Sequence, residues 1–152
     1  MKKLSAVLGV VLALGVSAQA LAVDEPENVI KYRQALMKSI GGHMGAIAGV
    51  VKGQVSYVDD VALHAQGMNA LSKIITGPFV KGTDNGSQKK TAALPKIWDD
   101  WAGFEKAAQA LDTASANLVK VAASGDRQQI AAAFGEVGKA CGGCHKPYRA
   151  EK

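Results

Sequence analysis

The chain has 152 residues, 48% of them hydrophobic and 20% charged, with a formal net charge of +5 at pH 7. That length suits one domain around a single core. The basic excess is mild and no tract interleaves lysine and arginine with aromatic residues, so nucleic-acid binding has no support.

The first 22 residues, MKKLSAVLGVVLALGVSAQALA, read as a secretory leader. Lys2 and Lys3 form its charged start, Ala6 to Val16 its apolar stretch, and Ala18, Ala20 and Ala22 fit A-x-A cleavage. The apolar run is too short to cross a bilayer, which needs roughly 20 residues. No second hydrophobic run follows, so no membrane insertion is expected. Cleavage after Ala22, with Ala20 as the alternative, leaves a mature domain over 23–152 that begins with the polar VDEPEN. Loss of Lys2 and Lys3 takes the net charge from +5 to +3. Export to a bacterial periplasm is the expected destination.

Four stretches carry helical periodicity, and none alternates with period two. In the first, Ile30, Met37, Ile40, Met44, Ile47 and Val51 step by threes, fours and a seven, with Asp24 as candidate cap, Pro26 in the first turn and Gly53 as the stop. The second runs from about Asp59 to Ile75, with Val61, Ala65, Met68, Leu71 and Ile75 inward, and GPF ends it. Residues Gly77 to Leu94 form a long polar segment, either a plain surface loop or a cover for the open end of a pocket. The third helix opens on Pro95 and closes at Gly125, with Ile97, Trp101, Phe104, Ala108, Leu111, Ala114, Leu118 and Val121 on one stripe. The fourth starts at an Asp126 cap, with Ile130, Phe134, Val137, Cys141, Cys144 and Tyr148 inward. The expected fold is all-α: an antiparallel up-down-up-down four-helix bundle with one long loop between helices 2 and 3.

The only cysteines of the chain stand in CGGCH near its end, followed at once by His145. On a helix Cys141 and Cys144 lie about 300° apart and Cys141 and His145 about 400°, so all three share an arc of roughly 100°. Two thiols one turn apart suit thioether attachment to one edge of a haem, with the adjacent imidazole reaching the iron from the same side. A reactive dithiol wants a helix N-terminus after a strand, whereas this motif lies near a helix C-terminus. Structural zinc needs a fourth ligand, which only His43 or His64 offers, without the usual spacing. A disulfide across one helical turn closes too small a ring to contribute much.

With CGGCH at the end of a four-helix chain, the sequence resembles the class II c-type cytochromes, above all cytochrome c′. The likeness is carried by VIKYRQALM in helix one, PKIWDDWAGF at the start of helix three, and FGEVGKACGGCHKPYR. It implies a periplasmic bundle, often dimeric through its first two helices, holding one covalent haem c through Cys141 and Cys144 with His145 on the iron. Arg33 and Gln34 match residues that contact the haem propionates, and Arg149 a basic position near the proximal face. Met37 matches the distal position across the iron from the histidine. There it is either an apolar blocker over a five-coordinate iron or, as in low-spin relatives, the sixth ligand.

Other residues have plainer readings. Trp101 and Phe104 are expected to fill the core with Trp98 at its boundary, and His43 and His64 to be surface or capping residues rather than ligands. Lys139, Lys146, Arg149 and Lys152 either form a basic rim for a small acidic redox partner or simply complement the helix dipole. The function expected is electron transfer or binding of small gases such as nitric oxide, without catalytic turnover. A dithiol redox protein and a bridged helical scaffold are the alternatives.

Overall fold

Pro26 fixes where the first helix begins, because its locked φ and missing N–H suit the first helical position. In the structure, a computed structural model that describes residues 24–151, α1 runs Pro26–Val51. The expected leader over 1–22 and its cleavage site, and also Lys152, lie outside the described residues. Since Pro26 is first in the helix, the cap position falls on Glu25, not on Asp24, and no side chain caps it. At the other end Gly53 adopts φ +70°, Gln54 N–H donates to Gly49 O at 2.9 Å and Gly53 N–H to Val50 O at 3.0 Å. This is the paired closure that a left-handed glycine permits.

A short 3₁₀ turn, Val58–Asp60, leads into α2, Val61–Ser72. The α2 helix stops three residues short of the expected Ile75, because Ile74 and Ile75 bond back to Leu71 and Ser72 in tighter turns. The long third helix is split in two. One turn, α3 (Lys96–Asp99), follows Pro95, the chain breaks at Asp100, and α4 runs Trp101–Ala122. Asp100 leaves helical geometry at φ −127° and ψ 55° and accepts the Gly103 N–H, so it caps α4. Then α5, Arg127–Tyr148, opens on Asp126, whose carboxylate accepts from Gln128 and Gln129, as its sequence implied.

The helices α1, α2, α4 and α5 form an up-down-up-down four-helix bundle in which α2 packs on α1 and α4, and α4 on α5. The seam that closes α5 back on α1 is the loosest of the four. One apolar cluster, including Ile40, Ile47, Val61, Met68, Leu118, Ile130 and Val137, runs through the bundle. Each such aliphatic side chain contributes about 1.5–3 kcal/mol on leaving water. A second cluster at one end joins Phe79, Ala93, Ile97, Phe104 and Tyr148, with Trp98 and Trp101 against it. Asn69 of α2 ties into α4 through Asp112 Oδ1 at 2.8 Å and Ser115 Oγ at 3.1 Å, which satisfies a polar spot inside the α2–α4 interface.

Candidate functional site

Tyr148 ends α5 and positions everything just before it. Its hydroxyl donates to Asp100 Oδ2 at 2.6 Å, and its ring stands edge-on to Phe104 with centroids 5.6 Å apart. That bond first, and burial second, push the phenol up to about 12. The same bond holds the Asp100 carboxyl below its ordinary range. Pro147 sits inside the last turn, and the chain then leaves extended, with Arg149 paired to Ala93 in an isolated bridge. Leu94 N–H donates to Tyr148 O at 3.0 Å, and Ala150 N–H to Ala92 O at 2.8 Å. The end of α5 is thereby fastened to the loop that precedes α3.

One turn back stand Cys141 and Cys144, both free and half-buried. Cys141 packs on the bundle cluster and Cys144 on the aromatic one. Burial pushes the Cys141 thiol up, and burial with the neighbouring Cys141 pushes Cys144 up to about 11. Neither is therefore a ready thiolate, which removes the basis for a reactive dithiol. His145 is exposed as a whole, yet its ring is partly desolvated and near Arg149, and both effects, desolvation the larger, lower its pKa. A neutral imidazole is the form that binds a metal.

From the facing helix, half-buried Met37 packs on both apolar clusters, the one that Cys141 touches and the one that Cys144 touches. Arg33, 3% exposed, is otherwise occupied. Its Nη1 donates to Pro78 O at 3.2 Å and Thr83 Oγ1 at 2.8 Å, and its Nη2 to Thr83 O at 2.8 Å and Thr91 Oγ1 at 2.7 Å. The guanidinium also lies 4.7 Å from the centre of the Phe79 ring. Exposed Gln34 donates to Lys90 O at 2.7 Å. Residues 77–94 are thus no plain surface loop: they fold onto α1 and insert Phe79 and Ala93 into the core. All four acceptors of Arg33 are neutral oxygens, and desolvation lowers its pKa while Asp84 partly opposes this through space.

The family model described as Cytochrome C' matches residues 28–149. The cytochrome c′ of Alcaligenes xylosoxydans xylosoxydans is 35% identical over 129 residues, which cover 84% of this chain and 98% of the relative. The chain belongs to the cytochrome c′ family. A cytochrome c-556 of Agrobacterium tumefaciens strain B2A is 36% identical over 126 residues, covering 81% of this chain and 98% of that one. Among solved structures, a nitric oxide complex of a variant cytochrome c prime from Alcaligenes xylosoxidans matches with TM-score 0.76 at 33% identity, over 86% of this chain and 100% of the other. A carbon monoxide-bound variant of the Alcaligenes xylosoxidans protein has the same TM-score and coverage. Members of the cytochrome c′ family carry covalently attached haem c, and this chain is a c-type haem protein. Its own features fit that group: two protonated thiols one turn apart, an imidazole without a hydrogen-bond partner among the described residues, and apolar packing around both thiols at the loosest seam.

Other residues emerge only in three dimensions. Phe104 is core, and Trp98 and Trp101 border it, with Trp98 Nε1 donating to Phe79 O at 3.1 Å. His43 and His64 cap no helix: they are half-buried at the edge of the bundle and meet across α1 and α2, Nδ1 to Nδ1, at 3.1 Å. Helical periodicity places single residues on faces and says nothing of which two faces meet, so this pair had no signal in the sequence. The Arg33 acceptors Thr83 and Thr91 and the Tyr148–Asp100 bond escaped for the same reason.

Proposed function

We propose that this chain is a periplasmic electron-transfer and gas-binding cytochrome, with haem c joined to Cys141 and Cys144, His145 on the iron, and the position opposite left open. The observation that carries this reading is the α1–α5 seam, where Met37 packs on both of the apolar clusters that Cys141 and Cys144 touch. Haem bound there supplies an iron that exchanges one electron and accepts a small neutral ligand.

The protein's part is positional and electrostatic. Tyr148, Asp100 and the Arg149 bridge hold the last turn of α5 so that His145 keeps one orientation. Met37 contributes an apolar, polarisable wall that excludes water and admits neutral diatomics. Arg33 is a buried cation whose hydrogen-bonded partners are all neutral, so a propionate nearby offsets the cost of its burial, with Gln34 alongside. The nitric oxide and carbon monoxide complexes of the Alcaligenes xylosoxidans protein support the same ligand class for this chain. Among the described residues no helix is long and apolar enough to cross a membrane. Exposed Lys146 and Arg149 favour an acidic redox partner. Exposed apolar residues on the first two helices, Tyr32 and Leu63, favour a homodimer through them.

The test is the spectrum of the exported protein. A pyridine haemochrome, a high-spin ferrous form and a shift on adding nitric oxide are expected; colourless protein with two titratable thiols refutes the reading. The contact of Met37 with both clusters also suits a second state, in which its sulfur is the sixth ligand of a low-spin electron carrier. Met37→Ala decides between the two, with a small spectral change expected for the open site and loss of the low-spin spectrum for the ligated one.

A further inference from the structure

We propose that His43 and His64 chelate one divalent transition-metal ion, Cu(II) most tightly and Zn(II) or Ni(II) less so, at a site on α1 and α2 distinct from the CGGCH motif. The two Nδ1 atoms are 3.1 Å apart, and the ring planes are inclined at 61°. With metal–nitrogen bonds of about 2.05 Å, that separation subtends roughly 98° at the metal. The angle lies between about 90° for a square or octahedral shell and about 109° for a tetrahedral one. The separation of the two nitrogens thus matches a shared ion, to which the rings turn from their hydrogen-bonded orientation.

The spacing is imposed by the fold. The two rings come from different helices, and Gly67 of α2 makes room for one of them: a Cβ at Gly67 would lie 2.7 Å from Cε1 and Nε2 of His43. Both residues are half-buried, so helix packing holds the rings while solvent reaches the site and water completes the shell. The pair's own hydrogen bond requires opposite tautomers, with Nδ1–H on one ring and a bare Nδ1 on the other. A metal ion takes the place of that proton, and both rings then carry hydrogen on Nε2. Among the described residues no carboxylate is hydrogen-bonded to either ring. Two imidazoles and water suit copper, nickel and zinc, and leave calcium and magnesium without the oxygen ligands they need.

The chain holds three histidines; with His145 on the iron, as the proposed function has it, the pair would be the imidazoles left to bind added metal. Chelator-stripped holoprotein is titrated with Cu(II) by calorimetry, and the copper is examined by electron paramagnetic resonance. One ion per chain is expected, with splitting from two imidazole nitrogens, and at least tenfold weaker binding in His43→Gln and in His64→Gln. Zn(II) is expected to raise the Tm of the parent but not of either variant, because ligand bound only to the native state stabilises it by mass action. The variants' haem spectra report that they are folded, and the nitrogen count on the unaltered protein requires no variant. Unchanged affinity in both variants, half an ion per chain, or fewer than two imidazole nitrogens on the copper overturns the site.

Discussion

Tyr148 shows how a single side chain links acid–base chemistry to the placement of a helix end. Because its folded pKa, about 12, exceeds the roughly 10 of an exposed tyrosine, its bond to Asp100 contributes stability that is complete below about pH 10 and lost as pH rises through about 12. Asp100 works in the opposite direction. Its folded pKa is depressed, chiefly by the Tyr148 hydrogen bond, so its contribution is present above the ordinary aspartate range and lost as pH falls through the depressed value. Tyr148→Phe is therefore expected to flatten the alkaline limb of Tm against pH between about 10 and 12 and to shrink the acid limb. A profile that only moves down in parallel would assign Tyr148 a packing role alone. With both thiols consumed in thioethers, no cysteine titration overlaps the alkaline limb of the holoprotein.

At the level of elements, the informative segment is the loop over 77–94. It contains no α-helix, yet Thr83 is 1% exposed and Phe79 reaches the core, because Arg33 gathers its oxygens. Arg33→Met removes four hydrogen bonds and takes from Pro78 O and Thr83 O their arginine donor, with an expected loss on the order of 3 kcal/mol. Limited proteolysis is expected to cut first within 77–94 in that variant, and resistance equal to that of the parent would refute the clamp. The sequence made α1, α2 and α5 legible because their apolar stripes, Pro26, Gly53 and Asp126 all act locally. It made CGGCH legible because one helical turn alone sets the relation of the two thiols and the imidazole. The break at Asp100 was not legible: the stripe from Ile97 to Phe104 continues through it, and the Tyr148 hydroxyl that helps hold Asp100 lies 48 residues away. Arg33 read as a propionate contact, but its loop acceptors lie 45 to 58 residues downstream, where no periodic pattern points.

On the scale of the whole molecule, charge and exposed apolar surface govern association. Lys139 is paired with Glu136 at 2.7 Å, which leaves Lys146 and Arg149 as the less encumbered cations near the motif. Ile74, 47% exposed, lies with Tyr32 beside a groove of about 460 Å³ that contains none of the motif residues. If the first two helices form a dimer, Leu63→Glu should lower the sedimentation coefficient to that of a monomer while the haem spectrum stays unchanged. A parent protein that sediments as a monomer at all concentrations would refute the dimer.

The unequal bracing of the bundle carries one more consequence. Since α5 is backed closely by α4 whereas its contact with α1 is slight, α1 is the member of this seam expected to yield more readily. With haem held as proposed, the compliance of α1 beside Met37 would bear on which small ligands fit, while Tyr148 and Asp100 fasten the end of α5. Amide exchange along residues 33–41 is where that compliance is measured.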